Sequence, residues 1–217
     1  MSKGYIVVAT GNAGKVKEFS HAFAKLGLEV RSLKDFSGMP DIVEDGDSFA
    51  ANARIKAGVI GRLLSAPVLA DDSGLCVDAL GGDPGIYSAR YSGPDATDAA
   101  NNAKLLQELA AVGADSTGAA APPPEGERLL SPGRFRCALA LYVPEQDDFM
   151  ESEGTMEGFI LDRPRGTKGF GYDPLLWVPE HGRTAAELSV EEKQQVSHRG
   201  EALRELLVKL EASGLQL

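Results

Sequence analysis

The first 26 residues change hydrophobic period once, and that change constrains the fold more than any other feature of the chain. Tyr5-Ile6-Val7-Val8-Ala9 is a largely β-branched apolar run, "TGNAGK" follows at 10–15, and Val16, Phe19, Phe23 and Leu26 then recur at helical spacing. The spacing predicts a strand, a glycine turn and a helix, the opening of a layered α/β protein. The turn is not a P-loop. That motif needs four residues between its glycines and Ser or Thr after its lysine, whereas here Asn12 and Ala13 alone separate Gly11 from Gly14, and Val16 follows Lys15. Free backbone N–H groups at such a helix start favour an anion. A simple strand-to-helix connection accounts for the turn equally well.

Farther along, Asp47 or Ser48 can cap a second helix that buries Phe49, Ala53, Ile60 and Leu64 and ends near Ser65, with Asn52 and Lys56 on one face. "APVLADDSG" reads as a short buried strand delivering Asp71, Asp72 and Ser73 into a turn. "LGGDPGIYSARYSGPDATD" reads as a long ordered loop, and Thr97 or Asp98 caps a helix through Leu105, Leu106 and Leu109. The stretch from Gly113 to Gly133 has no periodicity and is expected to be a flexible surface insertion. A strand follows through Phe135, Cys137, Leu139, Leu141 and Val143. A second covers Glu153 to Ile160, with a hairpin across the Asp147-Asp148 region. "RPRGTKGFGYDPLLWVPE" is a glycine-punctuated loop leading into a short apolar strand. Possible capping boxes at Thr184/Glu187 and Ser189/Glu192 then precede a final helix bearing Leu203, Leu206, Leu207 and Leu210.

A chain of 217 residues suits a single domain or two merged lobes. A net charge of −10 and a pI near 4.8 argue against broad nucleic-acid binding, which needs a basic face. Cys76 and Cys137 lack metal-type spacing and imply small buried hydrophobes in a reducing compartment. No stretch approaches the ~20 apolar residues of a membrane span. A cytoplasmic protein is expected.

Asp71 and Asp72 are the strongest acidic candidates, since paired carboxylates at a strand end can hold a hard cation such as Mg²⁺ and leave other positions to water and phosphates. A turn or capping role fits the same segment. Glu44 in "VEDGDSF" is either a further oxygen ligand or a solvated charge. Lys15, Lys56, Lys168, Lys193 and the His198-Arg199 pair fall on or near loops, and in an acidic protein they are the available counter-charge for a triphosphate. In "GFGYD", Phe170 and Tyr172 between glycines either reach a planar base or anchor a tight turn.

Taken together, "ATGNAGKVKE", "ADDSGL" with "LGGDPGIYSARYSG", "GFGYDP" and "SHRGEAL" resemble the inosine triphosphate pyrophosphatase family, in order and over nearly the whole chain. The resemblance implies an elongated α/β protein with a mixed central sheet, flanking helices and two lobes enclosing the active cleft, working as a Mg²⁺-dependent homodimer. It implies hydrolysis of non-standard purine nucleoside triphosphates (ITP, dITP, XTP) to the monophosphate and pyrophosphate. By position, Thr10, Gly11, Asn12, Ala13, Gly14 and Lys15 would contact phosphates, and Lys56 matches a basic position of the second helix. Glu44 and Asp72 would hold the metal, Asp72 would accept the proton, and Ser73 would touch substrate. Phe170, Gly171, Tyr172, Asp173, Lys193, His198 and Arg199 would surround the nucleoside and phosphates; apart from the resemblance, the O6 and N7 acceptors of hypoxanthine and xanthine suit donors such as Arg199 and a protonated His198. The Gly113–Gly133 stretch, longer than the family leads one to expect, touches none of these motifs. A nucleotide-binding regulator without turnover, and a phosphatase that frees orthophosphate, are the alternatives of other classes.

Overall fold

The computed structural model describes residues 4–24, 26–116, 122–123 and 125–215. In chain order they form β1 (Tyr5–Val8), α1 (Ala13–Ala24), β2 (Glu29–Ser32), α2 (Phe49–Leu64), β3 (Val68–Val77) and α3 (Asp98–Ala111). Then come β4 (Leu129–Val143), β5 (Asp148–Leu161), β6 (Leu176–Val178), β7 (Arg183–Thr184), α4 (Val190–Val196) and α5 (His198–Ser213). The strands make one sheet in the order β2-β1-β3-β4-β5-β6-β7. β1 is parallel to β2 and β3, while β6 is antiparallel to β5 and β7, so the sheet is mixed, as expected. By contact density the chain divides into a first unit, 1–72, 137–153 and 202–217, and a second, 73–136 and 154–201.

In the first unit Phe19 and Phe23 of α1 and Leu203, Leu206 and Leu210 of α5 bury one face each against Ile6, Val8, Leu69, Leu139 and Leu141. The 3.6-residue period of the helices meets the alternation of the strands, which is why the sequence pattern places these residues inside. Ser48 caps α2 by accepting from the Ala51 N–H at 3.2 Å. Gly61 lets α2 lie against Tyr142, whose ring atoms stand 2.1 Å from where a Cβ would be. In the second unit Leu105 and Leu109 of α3 pack on Leu75, Val77, Phe135, Met156, Ile160 and Tyr172. Thr97 caps α3.

Four expectations change. β3 does not end at Asp71–Ser73. It continues to Val77, because Leu75 and Val77 find a buried face in the second core and the two aspartates lie in mid-strand. β4 begins at Leu129 instead of Phe135, since Leu129, Leu130 and Ser131 are buried and Ser116 N–H bonds the Leu129 carbonyl at 2.9 Å. The end of the supposed insertion is therefore sheet, and residues 117–121 and 124 of that stretch lie outside the described residues. Thr184 donates both its N–H and its hydroxyl to the Glu187 carboxylate around a turn, and of the two expected boxes Ser189/Glu192 alone opens a helix. Finally, the four-residue edge strand β2 is too short to show a period and has no counterpart in the sequence reading.

Candidate active site

The site residues of the first unit lie at the β1–α1 turn, in the segment before α2, on α2 itself and on β3. Consecutive residues of a strand face opposite sides. Asp71, 3 % exposed, takes the Lys15 ammonium of α1 at 2.6 Å, whereas Asp72 turns to α2. There the Asn52 carboxamide donates to Asp72 at 3.0 Å and accepts from the Gly46 N–H at 2.9 Å. Lys56, one helical turn on, lies 2.9 Å from Glu44 and 3.6 Å from Asp72. The two aspartates thus do not converge on one cation; Glu44 and Asp72 do. Burial pushes the Asp72 carboxyl up, opposed by the Lys56 charge and the Asn52 hydrogen bond and assisted by Glu44 and Asp71.

The turn at 10–15 is more self-contained than the sequence suggests. Thr10 Oγ1 accepts from the Asn12 N–H at 3.2 Å, and Asn12 Oδ1 accepts from the Gly14 and Lys15 N–H groups at 2.8 and 3.2 Å. Asn12 therefore caps α1, which Ala13 opens, and these amides are not free as expected. Gly11 is exposed and a Cβ there would meet nothing within 4 Å.

In the second unit the loop 169–173 is fixed from two sides. Asp173, 3 % exposed, accepts from the Phe170 N–H at 2.9 Å and from Lys193 of α4 in a very short contact. Gly169 (φ +77°) has no room for a side chain, because a Cβ would stand 2.0 Å from Asp173 Oδ2. Asp98 and Asn102 of α3 hold the backbone of Gly171, Asp98 accepting from its N–H at 2.7 Å and Asn102 donating to its carbonyl at 2.9 Å. Tyr172 is buried, donates to the Ser88 carbonyl at 2.9 Å, and has its phenol pushed up by burial, so it anchors the loop. Phe170 projects instead, 52 % exposed, with the Lys193 ammonium 5.4 Å from its ring centre. It borders a concavity of about 530 Å³ lined also by Asp98, Asn102, Lys168 and Gly171. His198 and Arg199 open α5 and are both 6 % exposed. His198 stacks on Phe135 at 5.1 Å, and Arg199 reaches Ser73 Oγ at 3.5 Å. Neither is a solvated surface charge.

The structure thus brings Glu44, Lys56 and Asp72 together in the first unit, and Phe170, Asp173 and Lys193 in the second, with Ser73 beside Arg199. Sequence reasoning put Asn52 on the right face of α2 without assigning it to the site, and it missed Asp98 and Asn102. The only signal for that pair is their i, i+4 spacing at a helix start. Glu44 and Asp72 offer oxygen donors alone, and among the described residues no cluster of three or more Asp, Glu, His or Cys is poised to cage a metal. Two converging carboxylates, with other positions left to water and phosphate, suit a hard cation that retains much of its hydration.

The family model described as Ham1 family matches residues 6–209. A dITP/XTP pyrophosphatase of Geobacillus kaustophilus is 52 % identical over 201 residues, 93 % of this chain and 91 % of that protein. One from Streptococcus pyogenes is 48 % identical over 202 residues, and there the chain spans 57 % of the relative's length. Among solved structures, the Ham1 protein of Staphylococcus aureus superposes with a TM-score of 0.82 at 36 % identity, covering 96 % of this chain and 99 % of that one. A HAM1 protein of Coxiella burnetii gives 0.83 at 39 %, with the same coverage. On sequence and fold together, the chain belongs to the Ham1 family.

Proposed function

We propose that this chain hydrolyses non-standard purine nucleoside triphosphates (ITP, dITP and XTP) to the monophosphate and pyrophosphate, clearing them from the nucleotide pool. The observation that carries the reading is the convergence of Glu44 and Asp72 on one cationic group, Lys56, beside a glycine turn that opens a helix. The names of the relatives, dITP/XTP pyrophosphatases, supply the substrate class.

In the reaction, water attacks the α-phosphorus, the bond to the bridging oxygen breaks, and pyrophosphate leaves. Asp72 takes the proton of the attacking water, and the upward push that burial gives its carboxyl makes it a better base than an exposed aspartate. Asn52 holds that carboxylate in place, and Lys56 supplies positive charge beside it. Thr10, Gly11, Asn12, Ala13, Gly14 and Lys15 receive the phosphates. Phe170 stacks on the base; Asp173, Lys193, His198, Arg199 and Ser73 border the nucleoside. Glu44 and Asp72 would hold Mg²⁺, which, when bound, neutralises phosphate charge and makes water more acidic. The proposal includes a homodimer and a cytoplasmic location, both supported by the resemblance to inosine triphosphate pyrophosphatases.

Base choice follows from hydrogen-bond donors: hypoxanthine and xanthine present O6 and N7 as acceptors, while adenine places a donor at position 6. Steady-state kcat/KM for ITP, XTP, ATP and GTP tests the reading, with ITP and XTP expected about tenfold to a hundredfold ahead of ATP. Arg199→Ala should narrow that margin. A parent enzyme that prefers ATP would refute the substrate class.

A further inference from the structure

We propose that Asp98 and Asn102 of α3 are positioning residues for nucleoside binding, acting through the backbone of Gly171 on the ring of Phe170. The inference rests on the function proposed above and adds to it the part of the fold that sets the base platform.

Phe170 is a large apolar side chain kept half in solvent, and its backbone is held on every side. Its own N–H is taken by Asp173 at 2.9 Å. Gly171 is then held at both of its backbone polar groups, N–H by Asp98 and carbonyl by Asn102, so the peptide units on its two sides each carry one of these bonds. Two side chains one helical turn apart, on a helix anchored by Leu105 and Leu109, leave those two peptides little freedom to tilt. Gly171 itself sits at φ +60°, with nothing within 4 Å of a would-be Cβ, so no neighbouring side chain wedges the loop tip at that position. The hydrogen bonds from α3 do that instead.

The state of Asn102 separates positioning from stability. Its Nδ2 donates to Gly171, but its buried Oδ1 has no hydrogen-bond partner. A buried carbonyl left unsatisfied is destabilising, so a fold selecting for stability alone would do better with an apolar side chain of the same size. The carboxamide is retained for the one bond it makes to the loop. An exposed aromatic on a fixed backbone is the arrangement that captures a planar base with little entropy left to lose.

Three variants test this. Asn102→Leu removes the grip and the unsatisfied carbonyl together, Asp98→Ala removes the acceptor, and Asp98→Asn restores an acceptor without charge. With ITP, Asn102→Leu and Asp98→Ala should each raise KM about tenfold while kcat stays within about twofold, and Asp98→Asn should return KM to near the parent value. Asn102→Leu should melt no lower than the parent, and hydrogen exchange at the Gly171 amide should quicken in Asp98→Ala. In a Phe170→Ala background, neither α3 variant should add to the rise in KM, because the ring through which they act is gone. Additive effects in that background, or a loss confined to kcat, would overturn the assignment. A parent that releases no pyrophosphate from ITP overturns the function proposed above and the nucleoside role with it. A parent that turns over ITP while both α3 variants keep its KM overturns the positioning role alone.

Discussion

Asp72→Asn separates the chemistry of one carboxylate from its electrostatics. The amide keeps an oxygen for Asn52 but cannot take a proton from water, so kcat should fall by at least about a hundredfold. The thermal midpoint should stay within about 4 °C, because the replaced carboxylate is itself disfavoured by burial. Activity near the parent's would remove Asp72 as the base. Lys15 behaves differently, since its partner Asp71 has a side chain 1 % exposed. Lys15→Ala should cost roughly 1–3 kcal/mol of stability in urea unfolding, and adding Asp71→Asn should recover part of it by removing the buried charge. A double variant no more stable than the single one would show that the ion pair is not the source of the loss. These roles were legible unevenly. Residue types announced acid and cation, but only the strand's alternation shows that Lys15 takes Asp71 while Asn52 and Lys56 take Asp72.

At the scale of elements, α4 carries Lys193 to Asp173, and its start is fixed by Glu192. The Glu192 carboxylate accepts from Ser189 N–H at 2.8 Å and pairs with both terminal nitrogens of Arg183, which hold its pKa down to about 2. A depressed carboxylate stabilises the fold above its unfolded value of 4.5, and that contribution is lost as pH falls through about 2. Glu192→Gln should therefore lower stability at neutral pH and flatten the acid limb of the unfolding profile between pH 4.5 and 2. An unchanged acid limb would contradict this. Gly169→Ala should displace Asp173 or open the loop, raising KM for ITP at least about tenfold, since the methyl would overlap the carboxylate that Lys193 holds. A variant with parental KM would show the loop to be pliable. Long helices with strong periods (α1, α2, α3 and α5) were readable before the structure; the β4–β5 hairpin was readable as a hairpin, but both strands begin earlier than their patterns suggest, at Leu129 and Asp148. The extension of β3 was not, because Asp-Asp-Ser-Gly carries turn chemistry and only the burial of Leu75 and Val77 overrides it. The loop 169–173 announced its glycines but not its partners, which come from α3 and α4, far away in sequence.

For the whole molecule, the family match over residues 6–209 covers residues of both units, so neither unit alone contains the matched region. Glu44, Lys56, Asp72 and the turn at 10–15 belong to the first unit, and Ser73, Phe170, Asp173, Lys193, His198 and Arg199 to the second, with one of the passages between units falling between Asp72 and Ser73. Composition bore on function only by exclusion, since an acidic chain narrows the partners without choosing one. The central claim is the bond that breaks. Hydrolysis of ITP in ¹⁸O-labelled water, with both products analysed by mass, reads it directly: attack on the α-phosphorus places one labelled oxygen in inosine monophosphate and leaves pyrophosphate unlabelled. Label in pyrophosphate, or release of orthophosphate in its place, would contradict the account.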